Sequence, residues 1–457
     1  MRIIPELKIT LGEIASLFEF SEVKNVNAEV SAFTTDSREV KEGDIFVALK
    51  GERRSGEDYI SEARAKGAYI LSSESQSADF KVENTYHALL RIASFYKGKL
   101  KKLKSTVGIT GSVGKTTAKN IVAKMLSQKY QVHATEKNYN NFLGLSHTIL
   151  TAPSDTEIIV AEIGMNHLGE IEMLSRALRP NISVITNIGT AHVGMLGNRK
   201  RIAEAKLEIL KGMSVPTVIV PYEEILLKDA PGSYTYSTEN KSADCFILPK
   251  EELSSGSKFE VRTGKWSIPE NSTVLPGRHI LSSIAIGVSV MDILDYSMSD
   301  VRGALKMLSP DLIRAKEYDI GKISVYDDTY SSSPEAIIAV FKLLALDKSR
   351  TRSCVLGDML ELGEHSEELH CKIGEAVHSY GFSRLYTFGK LAQKIADAAK
   401  HSGMKPENIF TNCDLSAPEI TAEQILKSCE AGEIILFKAS HEIDAGRICE
   451  CLKRKMK

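Results

Sequence analysis

The stretch Gly108-Ile-Thr-Gly111-Ser-Val-Gly114-Lys115-Thr116-Thr117 lies between an apolar run of β type and a pattern of helical type. Such a loop aims several backbone N–H groups at one anion, at the positive end of a helix dipole. A lysine placed like Lys115 reaches terminal phosphates, and a hydroxyl placed like Thr116 binds Mg²⁺. Strand, turn, Gly-Lys-Thr and helix come in the order that phosphate binding requires, so the chain is expected to use ATP on a parallel α/β sheet. Gly111, Ser112, Gly114, Lys115, Thr116 and Thr117 are the candidate nucleotide contacts. The match departs in one place: the first glycine of the usual loop falls at Ile109, and Gly108 stands one residue too early. Downstream, Ile121, Val122, Met125 and Leu126 fall on one helical face.

A chain of 457 residues is too long for one ordinary core, so about two to four domains are expected. The net charge of −1 gives no support for a nucleic-acid partner or a polybasic membrane surface. The seven cysteines are scattered and odd in number, and Cys449 and Cys451 stand too close for a metal-type pair. They read as reduced thiols of a cytoplasmic protein. The opening MRIIPELKIT lacks the apolar segment of a signal peptide, and no run approaches the roughly 18 apolar residues of a membrane span.

Three sections separate along the chain. Residues 1 to about 100 mix short strands with helices; 45–49 reads as a buried strand and 88–96 as a helix running into a solvated linker, KGKLKKLKS. From about 101 to 310, strands at 106–110, 158–163, 183–187 and 216–220 alternate with helical patterns, which implies a parallel sheet with ligands at the carboxyl ends of its strands. Residues 232–275 lose this rhythm and read as a short-strand insertion. From about 311 to 457 the logic repeats, with strands at 323–326, 354–356, 385–388 and 434–437 and helices at 335–346 and 367–380. This is a second doubly wound unit.

Glu162 ends the second central strand. A carboxylate there faces the phosphate loop if the strands are neighbours, and completes a Mg²⁺ site with Thr116, since Mg²⁺ takes few protein oxygens plus phosphate and water; an exposed strand-end glutamate is the plainer alternative. Asn187 and His192 both fall on the loop after the third central strand, and position alone leaves His192 open between a structural and a functional role. Lys206, in RIAEAKLEIL, reads by itself as an ordinary surface lysine on a helix whose inner side is Ile202, Ile209 and Leu210.

The ordered set GITGSVGKTT, NYNNFLG, EIGMNHLGEI, TNIGTAHVG and AEAKLEI resembles the ATP-dependent Mur ligases. Within them it resembles the branch that adds D-alanyl-D-alanine to a UDP-N-acetylmuramoyl-tripeptide. TTDSREVKEGDIFVALKGER near the start is similar to that branch's nucleotide-sugar-binding domain, and VLGDMLELGEHSEELH to its C-terminal domain. The resemblance implies three α/β domains: a small mixed UDP-sugar-binding unit over 1–100, a central ATP-binding doubly wound parallel sheet over 101–310, and a Rossmann-like unit over 311–457. It implies a cytoplasmic, monomeric, ADP-forming ligase of peptidoglycan synthesis working through an acyl phosphate.

It also implies residue roles. Lys115 and the loop amides hold the β- and γ-phosphates. Thr116 and Glu162 bind one Mg²⁺; His192 is a ligand of a second, with Lys206 as a lysine carbamylated by CO₂. Asn187 lies near nucleotide and acceptor, Asn140 and Asn141 beside the acyl-acceptor site. Arg314 and Asp328 clamp ATP on phosphate and ribose, and Ser37 and Arg38 grip the uridine nucleotide. The resemblance frays at Ser331-Ser332-Ser333-Pro334 for Asn-Ala-Asn-Pro, at His441 for Arg, at Ile280 and Ser283 for asparagines near the adenine, and at Ser55-Gly56-Glu57 for Asp-Gly-His. Serine cannot make the paired hydrogen bonds of an amide, and histidine is a weaker cation than arginine. Three alternatives follow: a relative that joins another amine or acyl donor, a non-catalytic ATP-binding homologue, and a folylpolyglutamate synthase, against which the TDSR segment speaks.

Overall fold

The computed structural model describes residues 1–20, 25–51, 54–411, 413 and 416–455, without the side chain of His441, which therefore lies outside the described residues. Three sheets follow one another along the chain. The first holds β1 (Arg2–Ile3), β2 (Phe33–Thr34), β3 (Ile45–Val47), β4 (Tyr69–Ser72) and β5 (Phe80–Lys81) in that spatial order, parallel apart from the β1–β2 pair.

The second sheet has nine strands: β6 (Ser105–Thr110), β7 (Val132–Ala134), β8 (Ile158–Glu162), β9 (Ile182–Ile185), β10 (Val218–Pro221), β11 (Ser233–Ser237), β12 (Cys245–Leu253), β13 (Gly256–Thr263) and β14 (Ser267–Thr273). Their order is β14-β13-β12-β11-β10-β9-β6-β8-β7. β6 pairs with β8 on one side and β9 on the other; the chain runs from β6 past β8 to the edge strand β7, returns to β8 and then crosses to β9, so the loop after β6 stands where strand order reverses, the usual ligand crevice of such sheets. Burial alternates along these strands. Val107, Ile109, Ile158 and Val160 pack against the helices Lys115–Leu126 and Arg278–Ile293, and Ile159 and Ala161 against the helices Phe142–Leu150 and Glu170–Leu178. Period-2 alternation between two apolar layers is why these strands read as nearly continuous hydrophobic runs. Ile121, Val122, Met125 and Leu126 are fully buried, as their helical spacing predicts.

The third sheet holds β15 (Lys316–Ile320), β16 (Ile323–Asp327), β17 (Arg352–Gly357), β18 (Arg384–Phe388), β19 (Ile409–Phe410) and β20 (Ile434–Lys438), in the order β15-β16-β20-β17-β18-β19. Only β15 runs antiparallel. The three sheet-bearing α/β units of the sequence reading are thus present.

Two expectations are corrected. KGKLKKLKS is no free linker: Lys97 and Lys99 end the helix Thr85–Lys99, Lys97 Nζ donates to the Leu178 carbonyl, and Lys99 Nζ reaches Glu13 Oε1 at 2.7 Å. That helix buries Leu89, Ile92 and Tyr96 in one core with Leu145 and Leu174, so apolar packing fixes the first sheet against the second. The segment 232–275 is not a separate insertion either. β11 continues the parallel sheet, and only β12–β14 turn it antiparallel. Among the described residues no helix is long and apolar enough to cross a membrane.

Candidate active site

β6 delivers the phosphate loop, and the loop after β9 clamps it. Gly111 has φ +148°, and a Cβ there would stand 1.9 Å from Thr186 Oγ1, so only glycine lets the two loops approach. Thr186 Oγ1 donates to the Val113 carbonyl at 2.6 Å, Asn187 Oδ1 accepts from Val113 N at 3.0 Å, and Asn187 Nδ2 donates to the Val113 carbonyl at 3.1 Å. Asn187 therefore holds the loop's shape, beside any contact it makes with a ligand. Gly114, at φ +79°, precedes the helix Lys115–Leu126 and leaves its first N–H groups facing the cleft.

Lys115 Nζ folds back on the carbonyls of Gly111 (2.8 Å) and Ser112 (3.2 Å), and burial pushes its pKa down. Thr116 Oγ1 donates to Glu162 Oε2 at 2.6 Å, and Asn140 Nδ2 donates to the other carboxylate oxygen at 2.9 Å. Glu162 is buried, and the exposed strand-end reading falls away. Behind it the buried Lys119 donates to the Thr135 carbonyl at 2.5 Å, while Thr135 Oγ1 accepts from Glu162 N at 3.1 Å. Asn141 spends its side chain capping the helix Phe142–Leu150 by accepting from Gly144 N at 3.0 Å.

The third sheet closes the cleft. Arg314, stacked 3.9 Å from the Tyr330 ring, donates to Thr116 Oγ1 at 2.5 Å. Asp328 pairs with the buried Lys438, which also donates to the Ser331 carbonyl at 2.9 Å. A cavity of about 550 Å³ results, lined by the phosphate loop, Asn140, Glu162, Asn187, Arg314, Asp328 and, from the helix Arg278–Ile293, His279, Ile280 and Ser283. Burial holds His279 down at about 4, so this wall is neutral at physiological pH.

A smaller cavity of about 190 Å³ adjoins, lined by Gly111, Lys115, Asn140, Asn141, Glu170, His192 and Lys206 among others. Lys206 corrects the sequence reading. It is only 1% exposed, on the inner face of the helix Arg199–Leu207, and forms no hydrogen bond or ion pair among the described residues. Its position four after Ile202 and three before Ile209 was the signal that it faces inward. His192, at φ +65°, brings Nδ1 to 2.7 Å from Glu361 Oε2 of the third unit, at ion-pair distance without hydrogen-bond alignment. The His192 ring and, more weakly, Lys115 hold Glu361 below the usual carboxylate range. Glu361 also has φ +65°, and its carbonyl accepts from Gly194 N at 2.9 Å, so the two loops meet backbone to backbone.

Ser37 and Arg38 are not brought to either cavity. Ser37 Oγ donates to Glu62 Oε2 at 2.8 Å, and Arg38 forks onto Asp36 at 2.8 and 2.6 Å. Glu335, whose carboxylate accepts from Thr190 N, and Glu361 were missed by sequence reasoning, because nothing local marks a residue whose partner lies in another unit; Lys119 was missed because its place on the helix after the phosphate loop does not show that it turns inward to the Thr135 carbonyl.

Thr116 and Glu162 present two hard oxygens on one wall beside a phosphate-binding loop, a donor set that fits Mg²⁺ completed by phosphate and water. No cluster of three or more His, Cys, Asp and Glu side chains suited to a metal occurs among the described residues.

Known proteins share this architecture. Family models match three segments: the Mur ligase middle domain over 109–291, the Mur ligase glutamate ligase domain over 314–441, and the Mur ligase family catalytic domain over 29–94. The chain is 32% identical over 427 residues, 90% of each chain, to the UDP-N-acetylmuramoyl-tripeptide–D-alanyl-D-alanine ligase of Bacillus subtilis (strain 168). It is 29% identical to the Synechocystis ligase of the same name, covering 96% of this chain and 97% of that one. A crystal structure of MurF from Acinetobacter baumannii superposes with TM-score 0.87 at 25% identity, covering 99% and 100% of the two chains. MurF ligase from Thermotoga maritima in complex with ADP gives 0.80 at 28% identity, covering 93% and 97%.

Proposed function

The chain belongs to the Mur ligase family, and from that premise we propose that it joins D-alanyl-D-alanine to UDP-N-acetylmuramoyl-tripeptide in cytoplasmic peptidoglycan synthesis, forming ADP and phosphate. The observation that carries this reading is the Thr116–Glu162–Asn140 array facing Lys115 and Arg314 across one cleft. A carboxylate resists attack by nitrogen because oxide is a prohibitive leaving group. Its oxygen first attacks the γ-phosphorus of ATP, and ADP departs. The amine nitrogen then attacks the carbonyl carbon of the acyl phosphate, phosphate leaves, and a proton is lost. The protein's contribution is positioning and charge neutralisation.

Lys115 and the loop amides hold the phosphates, Arg314 neutralises the charge passing to ADP, and Asp328 anchors the ribose. Thr116 and Glu162 hold one Mg²⁺; His192 and a carbamylated Lys206 hold a second. Bound Mg²⁺ supplies charge for the migrating phosphoryl group. Asn140 and Asn141 flank the acyl acceptor. Ser37 and Arg38 receive the uridine nucleotide once their internal pairs open. The units are taken as 1–100, 101–310 and 311–457; the three sheets support this division. ATP contacts shared between the last two units favour closure around the nucleotide in a monomeric enzyme.

The serines at 331–333 favour one further reading, a ligase of the same chemistry with a different amine. Purified protein with ATP, Mg²⁺ and a panel of UDP-muramoyl peptides and amines separates the two by product mass. ADP together with a peptide lengthened by D-alanyl-D-alanine is expected; ATP hydrolysis that ignores both substrates would overturn ligase chemistry. Lys115→Ala should abolish turnover.

A further inference from the structure

Where the third unit meets the phosphate-loop side of the second, Glu335 Oε2 and Thr190 Oγ1 are buried without a hydrogen-bond partner. Glu335 stands in the first turn of the helix Pro334–Leu344, and its other oxygen, Oε1, accepts from Thr190 N at 2.7 Å. A Cβ on Gly189 would stand 2.8 Å from the Glu335 carboxyl carbon, so glycine there lets the carboxylate press on the loop that follows β9. Gly189 N donates to Ser112 Oγ at 2.9 Å, and the Ser112 carbonyl accepts from Lys115 Nζ at 3.2 Å. The carboxylate is thus linked through Thr190, Gly189 and Ser112 to the lysine of the phosphate loop, and Glu335 and Lys115 both line the larger cavity.

An ionised carboxylate oxygen shielded from water and left unpaired is costly. No lysine, arginine or histidine among the described residues forms an ion pair with Glu335; Lys115 rests on loop carbonyls, Arg314 on Thr116 and Lys438 on Asp328. The site therefore calls for a cation from outside the chain. The free carboxylate oxygen of Glu335 and the hydroxyl of the adjoining Thr190 are acceptors suited to the N–H donors of a primary ammonium. A divalent ion is better served at Thr116 and Glu162, beside the phosphates.

We propose that Glu335, with Thr190, receives the ammonium group of the incoming amine substrate and so fixes which nitrogen meets the acyl phosphate. This rests on the ligase reading above. The test measures Glu335→Gln and Glu335→Asp against wild type with D-alanyl-D-alanine as the varied substrate. It also measures amine-free formation of acyl phosphate, trapped by hydroxylamine. For Glu335→Gln, the KM for D-alanyl-D-alanine should rise about 30-fold or more. The KM values for ATP, Mg²⁺ and the UDP-tripeptide, and the trapped acyl phosphate, should stay near wild type. Glu335→Asp, which keeps the charge on a shorter arm, should rise less, and it carries the test if the Gln variant does not fold. D-lactoyl-D-alanine, with hydroxyl in place of ammonium, should compete weakly in wild type, with an inhibition constant well above the KM for D-alanyl-D-alanine, and in the Gln variant the two constants should converge. An unmoved amine KM with ligation intact overturns the proposal alone, as does a rise in the KM for ATP or Mg²⁺ instead. Wild type that traps no acyl phosphate sinks the ligase reading itself.

Discussion

Lys206 and Lys115 line one cavity of about 190 Å³, and burial, reinforced by the charge of Lys115, holds the Lys206 amine well below the ordinary lysine range. Lowering an amine's pKa enlarges its neutral fraction, the form that adds CO₂, and the product would be a carboxylate in the cavity that His192 also lines. Native mass spectrometry should show one added CO₂ that acid removes. Lys206→Ala should lower kcat by about a thousand-fold, as loss of a group that stabilises developing charge does. Bicarbonate should not restore it, whereas a short added carboxylate should restore part. Near-normal turnover of the Ala variant would exclude the role.

Arg314 reaches across from the third unit to the Thr116 hydroxyl at 2.5 Å while stacked on Tyr330. Its work requires a planar, permanently charged fork, so Arg314→Lys should behave much like Arg314→Ala, with kcat down about a hundred-fold or more. Steady-state ATP turnover measures this. A lysine variant as fast as wild type would mean that charge alone suffices.

Gly111→Ala should place a methyl 1.9 Å from Thr186 Oγ1 at a backbone angle that L side chains avoid. Overpacking of this kind costs about 1–3 kcal/mol. The melting temperature should fall, and nucleotide affinity should fall further, since the loop cannot keep its shape. Unchanged ADP binding by calorimetry would show that the clamp is dispensable.

Burial, helped by the charge of Arg179, lowers Lys97 to about 8. Its folded value thus lies below that of the unfolded chain, roughly 10.4. Between the two the unfolded state binds the extra proton, so stability rises as pH climbs from about 8 towards 10. Urea denaturation of wild type and Lys97→Met across that window should show a steeper rise for wild type. Parallel slopes would assign the pH dependence to other groups.

How much was legible depended on how local the cause was. The helix after Gly114 and the strands flanking it announced themselves by apolar spacing, since each residue's environment there is set by neighbours one turn or one pleat away. The edge β12–β14 was misread because strands that alternate buried and exposed residues resemble an insertion until their partner β11 is known. Lys206 was misread for the opposite reason: lysine identity outweighed its position on the inner face of the helix.

By itself, the sequence determined a phosphate loop, two doubly wound sheets and the residue types needed to bind ATP and Mg²⁺. Those follow from backbone periodicity and short-range geometry. The tertiary structure alone decided that Lys206 is buried beside Lys115, that Arg314 arrives at Thr116, and that the Glu335 carboxylate meets the loop after β9 with one oxygen unpaired. Electrostatic environment depends on which charges lie within a few ångströms in space, and residues as far apart in sequence as Lys206 and Lys115, or Arg314 and Thr116, become neighbours only when the chain has folded.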